Sequence, residues 1–526
     1  MNQPEQKNPS PSSLALLFYV IEGNKRKFFI ALFMGLLLNG FISIVSPLSL
    51  KYLFDEGIIR GRFRSFVILS IVFVLVFTVW RLGQYCSRMY VQRLRIAVTK
   101  RVSLQMLQKY YEIPYDEIIK KQQGYFTSRV YDEVTAAAPP LLDCTFSIFN
   151  SAVTLILASV VAISLSWEAA LTILVSVPLV YAASNRYAKR IKNIAKLEKE
   201  EEAKLRGVLG RAIGSYKIVR TFKLNEKILA GTTERFNSFA DAFLNRFRTG
   251  ARYEILSGTL MSYVETIATI GAGYQMLRGR LTFGGFMGFM NAFWLVIGSV
   301  RGIFDQVPQL SRVTGLVERL KEFEEIESKH TNVRYADTVK IEQVSFAYNG
   351  KNVLRDCEFQ LSKGERVLVI GPNGSGKSTL AHLIAGLFQP SAGATTTFPL
   401  SKVSCVIYPH EFIPGTVNDN VSFASSDSEQ IKLNRLVQDF GLSDCLEKDA
   451  TELSAGQRKK LEVIMSLVKE ADMYLLDEPL AGIDVDSKHK IMNEIFRCTH
   501  NKMLITIMHG DEQFHPLFDR VINLGD

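Results

Sequence analysis

The stretch Phe28 to Leu50 carries no charged residue and follows Lys25-Arg26-Lys27. A run of that length can cross a bilayer as a helix, and a basic flank suits its cytoplasmic end. Few features constrain a fold more, because in lipid every backbone polar group must be satisfied within a helix or a closed barrel. Five further runs follow: Ser65 to Trp80, Cys144 to Trp167, Ala169 to Asn185, Glu254 to Leu277 and Leu281 to Val300. The third and fourth are expected to hinge at a short turn around Glu168. Pro47 is expected to be tolerated where neighbouring helices cover the freed backbone. Buried helices of a soluble protein do not account for six such runs. Six spans place both chain ends on one side of the membrane. The connecting loop Lys51 to Arg64 is itself somewhat basic, so the charge rule supports that orientation only in part.

The rest of the chain divides by composition. Residues 1–27 read as a cytosolic N-terminal segment, 28–320 as a transmembrane domain, 321–338 as a charged linker and 339–526 as a soluble α/β domain. Two long segments between spans, Arg81 to Pro140 and Tyr187 to Arg252, have helical periodicity with dense charge. They read as helical extensions into the cytosol. The net charge of +10 is explained by Lys and Arg beside the spans rather than by a nucleic-acid partner. Six scattered cysteines without a C-x-x-C pair argue against a disulfide framework or zinc site and suit a reducing compartment. Met1 to Ser13 is polar and the first apolar run is too long for a signal core, so no secretory signal is expected.

The soluble half is organised around Val367 to Leu380. An apolar strand, Val367 to Ile370, runs into a glycine-rich turn and then an apolar helix. Gly371, Gly376, Lys377 and Ser378 fit the phosphate-loop pattern, with Asn373 and Gly374 in the turn and Thr379 opening the helix. Glycines let backbone N–H groups converge on phosphate oxygens, and the helix N-terminus adds a positive dipole end. Lys377 can reach the outer phosphates, and the Ser378 hydroxyl can ligate Mg²⁺. Farther on, Met473 to Asp477 is an apolar strand ending in a carboxylate suited to Mg²⁺, with Glu478 next as a candidate general base. A third apolar strand, Leu504 to Met508, delivers His509, a candidate γ-phosphate contact. Val339 to Tyr348 alternates like a strand. Stacking of Tyr348 on adenine and a core role for it are both open.

In this order, Tyr348, Gly371 to Ser378, Leu453 to Gln457, Met473 to Glu478 and His509 resemble the ATP-binding domain of an ABC transporter. Gly124 to Val134 and Ser215 to Phe222 resemble the two intracellular loops of the six-span ABC exporter family, and Leu277 to Gly285 the turn before its last span. The resemblance implies a membrane all-α six-helix domain fused to a cytosolic α/β P-loop NTPase, with ATP and Mg²⁺ as cofactors. It implies two copies paired head to tail, so that Ser454, Gly456 and Gln457 of one close over nucleotide on the other's Lys377 loop. Asp484 falls in the matching D-loop. Two departures stand out. The glutamine expected near Val406 to Val417 is replaced, by Tyr408 or His410 depending on alignment. The segment from there to Leu453 is short, so a trimmed helical subdomain is expected.

Gly456 to Leu461 and Met508 to Phe514 are similar to the branch that exports cyclic or siderophore-type peptides, so the expected cargo is a small or cyclic peptide. A lipid or multidrug exporter, or a siderophore importer on the same fold, is the alternative. The expected partners are a second copy, membrane lipid and the cargo, not nucleic acid. The segment 1–27 lacks Cys and His, so no leader peptidase is expected there. For the cargo path, charges within spans mark candidates. Glu265 lies mid-way along the fifth span, and both a cargo cavity and a structural hydrogen bond are open for it. Arg301 and Asp305 are spaced to pair with each other.

Overall fold

In a computed structural model, the protein is described at residues 12–121, 123–326, 333–348, 351–407, 411–424 and 429–524. It divides into two compact units. One comprises residues up to 108 together with 126–325. The other comprises 109–125 and 326 onward.

The first unit is helical: α1 (Ser13–Val20), α2 (Lys25–Phe54) and α3 (Phe63–Glu112), whose last turn from Lys109 belongs to the second unit, precede α4 (Tyr115–Ile118) of the second unit and α5 (Gln123–Thr127), which also straddles the boundary. Then come α6 (Glu133–Leu165), α7 (Trp167–Gly214), α8 (Tyr216–Thr221), α9 (Asn225–Leu277) and α10 (Phe283–Glu324). Among the described residues, α2 with the turn to Ile59, α3, the stretch from Gly124 through α6, and α10 are long and apolar enough to cross a membrane. The fourth and fifth expected spans lie within the continuous helices α7 and α9.

Three boundaries differ from the sequence reading. The helix carrying the third expected span begins before Cys144, because α6 runs unbroken through Pro139 and Pro140. Each proline removes one helical hydrogen bond, which bends a long helix without ending it. The hinge lies at Ser166, not Glu168. Ser166 is extended (φ −160°, ψ 101°) and its hydroxyl accepts from Ala169 N–H at 3.3 Å, capping α7. Glu168 already sits in the first turn of α7 and pairs with Arg280 at 2.8 Å. Within the expected linker 321–338, α10 extends to Glu324 and Val333–Tyr335 is a strand of the second unit.

Helix α10 lies against α2 because small residues let the backbones approach. A Cβ on Gly288 would fall 2.6 Å from the Pro47 carbonyl oxygen. The Asp55 carboxylate beyond α2 accepts from Thr282 Oγ1 at 2.9 Å and from Gly284 N–H at 3.0 Å, fixing the start of α10.

The second unit holds two sheets. Strands β1 (Val333–Tyr335), β2 (Val339–Tyr348), β3 (Lys351–Leu361) and β5 (Ala392–Thr397) form one, in the order β1-β5-β2-β3. Strands β4 (Arg366–Ile370), β6 (Val403–Val406), β7 (Met473–Asp477), β8 (Met503–Ile507) and β9 (Arg520–Asn523) form an all-parallel sheet, β6-β7-β8-β4-β9. Period-2 alternation sends neighbouring side chains to opposite faces. Leu368, Tyr474, Leu476 and Leu504 pack with α13 (Gln430–Asp439), α14 (Ala455–Val468) and α15 (Val485–Cys498). Val367, Val369, Leu475 and Ile505 pack with α11 (Lys377–Ile384) and the first sheet. Both faces are covered, so these strands read as continuous apolar runs. Between β6 and α14, the only described α-helices are the short α12 (Val417–Ala424) and α13, followed by 3₁₀ turns.

Candidate nucleotide site

The phosphate-loop residues sit at the carboxyl end of β4, held on both sides by β8 and β9. That is where open parallel sheets bind ligands. Gly376 takes φ +95° as the residue before α11, and a Cβ there would lie 2.6 Å from Leu354 Cδ2. Only glycine fits the turn. No side chain caps α11, so its first N–H groups face the loop. Lys377 is buried, and its ammonium donates to the carbonyls of Gly371 (2.8 Å) and Pro372 (3.0 Å). The Ser375 hydroxyl is buried without a hydrogen-bond partner among the described residues. Asn373 and Gly374 are exposed at the loop tip, and Thr379 is buried in the first helical turn. Free N–H groups, an ammonium resting on its own loop and an orphan hydroxyl all fit a polyphosphate.

Ser378 Oγ donates to Asp477 Oδ2 at 2.9 Å, joining the start of α11 to the end of β7. A hydroxyl and a carboxylate are hard oxygen donors that fit Mg²⁺, which takes one or two carboxylates plus phosphate oxygens. Among the described residues, no cluster of three or more His, Cys, Asp or Glu suggests another metal site. Asp477 is buried, whereas Glu478 is exposed with φ +49° and its N–H donates to the Ile507 carbonyl at 2.9 Å. Asp477 pairs with Ile507 in register, so Glu478 and the exposed His509 leave neighbouring strand ends.

Ser454 caps α14 in a reciprocal box with Gln457. Gln457 N–H donates to Ser454 Oγ at 3.3 Å, and Ser454 N–H donates to Gln457 Oε1 at 3.0 Å. A Cβ on Gly456 would lie 3.1 Å from the Gly482 carbonyl oxygen, so this turn abuts the loop leading to Asp484. Asp484 caps α15 by accepting from Ser487 N–H at 2.9 Å; the Ser487 side chain first, and this N–H second, hold its carboxyl below the usual range. Among the described residues, no hydrogen bond or ion pair joins Ser454, Gly456 or Gln457 to the phosphate loop. Tyr348 ends β2, with its side chain outside the described residues; Tyr408 and His410 also lie outside them.

Sequence reading missed three groups. Tyr115 of α4 stacks on His382 (centroids 5.5 Å, 10° between planes) and on Phe388 (5.9 Å), and Phe388 stacks on Phe346 (5.1 Å). His382 Nδ1–H donates to the Ser378 carbonyl at 2.6 Å, and burial holds the imidazole pKa down. The signal was present in part, since His382 lies one helical turn after Ser378. The third is Lys459, whose buried ammonium donates to the Asp477 carbonyl at 2.9 Å.

In the helical unit, Glu265 is half-buried on α9 and makes no ion pair among the described residues. Arg301 and Asp305 face solvent 3.8 Å apart, as their spacing implied. Arg301 also borders a cleft of about 360 Å³ with Arg246, Tyr253 and Glu254.

The phosphate loop, the carboxylate at the end of β7 and the capped turn of α14 define a nucleotide-hydrolysing domain. The helical unit beside it in the chain defines a membrane protein. The family description "ABC transporter transmembrane region" matches residues 29–300, more than half of the chain, and "ABC transporter" matches 354–481. The chain belongs to the ABC transporters, as a multi-pass inner-membrane protein with a cytosolic ATP-hydrolysing domain. It is 20% identical over 522 residues to YgaD of Bacillus subtilis, a candidate multidrug export ATP-binding/permease protein, covering 92% of this chain and 90% of the relative. It is 23% identical over 533 residues to an ATP-dependent lipid A-core flippase of Xanthomonas oryzae pv. oryzae, covering 93% and 88%. A bacterial Atm1-family ABC exporter solved with ATP bound has the same fold, at TM-score 0.80 and 15% identity over 95% of this chain and 94% of that one.

Proposed function

We propose that two copies of this chain form a homodimeric exporter that couples MgATP hydrolysis to movement of an amphiphilic, lipid-like or drug-like cargo. The observation that carries the ATPase half is the Ser378–Asp477 hydrogen bond at 2.9 Å, with Glu478 leaving the same strand end. Lys377 and the N–H groups of the loop, from Gly371 through Thr379, hold the phosphates, and Tyr348 is assigned to the adenine. Ser378 and Asp477 are the residues that would hold Mg²⁺, which would supply charge neutralisation at the phosphates. Glu478 takes the proton of the attacking water, and His509 steadies the γ-phosphate. Ser454 and Gln457 bond to each other, and among the described residues neither they nor Gly456 bond to the phosphate loop of their own chain, which supports their serving a second copy, with Asp484 at that interface. The names of the relatives support a lipid-like or drug-like cargo over the peptide expected from Gly456 to Leu461 and Met508 to Phe514.

The test uses full-length protein in proteoliposomes. Glu478→Gln should bind MgATP as the parent does yet turn over at least about a hundredfold more slowly, in line with general-base contributions. Near-parental ATPase activity would overturn the assignment of the base. Stimulation of ATPase activity by peptides, and not by lipid-linked or drug-like amphiphiles, would overturn the cargo class.

A further inference from the structure

The peptide joining Asp477 to Glu478 is held at both ends. Its N–H donates to the Ile507 carbonyl, and its carbonyl oxygen accepts from Lys459 Nζ, each at 2.9 Å. Glu478 sits at φ +49°, in a region L residues seldom occupy. Such a conformation persists only where the surroundings over-determine it. Lys459 belongs to α14 and is 6% exposed; Glu462, one turn on, is 7% exposed and lies 3.6 Å from its ammonium. Around them Leu461, Val463 and Ile464 are fully buried. Burial pushes the ammonium pKa down, and the Glu462 carboxylate pulls it back. A buried ion pair among apolar neighbours adds little net stability over an apolar pair of the same size. Its value here lies in the ammonium, whose bond to a carbonyl is charge-assisted and strengthened by the low local dielectric.

We infer that Lys459 is a positioning residue for Glu478: fixed on α14, it holds the Asp477 carbonyl and so keeps the Glu478 carboxylate aimed off the end of β7. The inference rests on the proposed role of Glu478 as the base. It has a consequence for coupling. Helix α14 opens at Ser454, which serves the partner's nucleotide in the proposed dimer, so a shift of this helix at one ATP site reaches the base of the other through Lys459.

The experiment replaces Lys459→Met together with Glu462→Leu in the full-length transporter, leaving neither an unpaired buried charge nor a large cavity. ATPase kinetics should show kcat reduced at least about tenfold with KM for ATP within about twofold, the pattern of a misaimed catalytic group. Lys459→Arg, which keeps a charged donor, should recover most of kcat. In a Glu478→Gln background the double replacement should add less than about a twofold loss, because both act through one group. Parental kcat in the double variant, a KM rise that tracks the kcat loss, or full additivity with Glu478→Gln would overturn the inference alone. So would failure of the double variant to fold, since that would make the pair a scaffold. Parental turnover by Glu478→Gln itself would overturn the inference and the reading of the base together.

Discussion

Replacing Gly376 by alanine perturbs the phosphate loop in two separable ways. The residue has φ +95°, and placing a Cβ in left-handed backbone costs about 1–2 kcal/mol. The new methyl would lie 2.6 Å from Leu354 Cδ2, 3.2 Å from its Cγ and 3.3 Å from Val353 Cγ1. Leu354 is 3% exposed, so it has little room to swing away. Overpacking of this kind costs about 1–3 kcal/mol. Without nucleotide the loop can relax to shed part of the strain, but binding requires the original loop, so the cost reappears as lost affinity. The sum, roughly 2–5 kcal/mol, predicts that MgATP affinity falls at least about thirtyfold, at 1.4 kcal/mol per tenfold. The assay is equilibrium titration with MgATP in a Glu478→Gln background, so that turnover does not intrude. Adding Leu354→Ala should recover the steric share and leave the backbone share, about a tenfold deficit. Affinity within threefold of the parent, or no recovery on adding Leu354→Ala, would refute the reasoning.

Tyr115→Ala removes two near-parallel ring contacts, on His382 and Phe388, each worth about 0.5–1.5 kcal/mol beyond buried area. Cargo moved per ATP hydrolysed should fall while ATP affinity stays parental; an unchanged transport-to-hydrolysis ratio would show that α4 docks without this stack. Glu265→Gln should weaken stimulation by cationic cargo at least about tenfold, the value of a charge-assisted hydrogen bond, with basal ATPase activity unchanged. Lower thermal stability with unaltered cargo response would assign Glu265 to the scaffold.

Much of the nucleotide domain was legible because its strands are covered on both faces and its turns need particular residues. β4, β7 and β8 appear in sequence as largely apolar runs: β7 ends at Asp477, β4 runs directly into the loop from Gly371, and β8 ends at Ile507, two residues before His509. β1 and β5 were not legible. Val333–Tyr335 is a three-residue strand in a polar stretch, and Ala392–Thr397 lacks large apolar residues. β5 forms because β2 and β1 supply partners on either side, which is non-local information. Lys459 was hidden for a related reason. Within Arg458-Lys459-Lys460 nothing marks the middle residue as buried. Only the arrival of β7 beneath α14 turns that ammonium toward Asp477.

The membrane half shows the converse problem, in which absence of charge is a cruder signal than packing. The stretch 254–277 of α9 is rich in small and hydroxyl residues, which lowers its apolar character without unfitting it for a membrane. Thr259, Ser262 and Thr266 donate back to the carbonyls of Ile255, Gly258 and Ser262, at 2.9, 3.1 and 2.7 Å, so their hydroxyls are satisfied inside the helix. Ala268 and Ala272 give the close approach that packs α9 beside Phe289, Ala292 and Phe293 of α10. Tyr263, Ile267 and Ile270 point away from that contact and are exposed. Glu265 fits neither group. It lies three residues before Ala268, at the border of the packed face, too polar for lipid and without a hydrogen bond from the described residues. Both readings of Glu265 meet at that border: a carboxyl there can serve an arriving cargo or water, or a structural hydrogen bond, and the Glu265→Gln variant separates them.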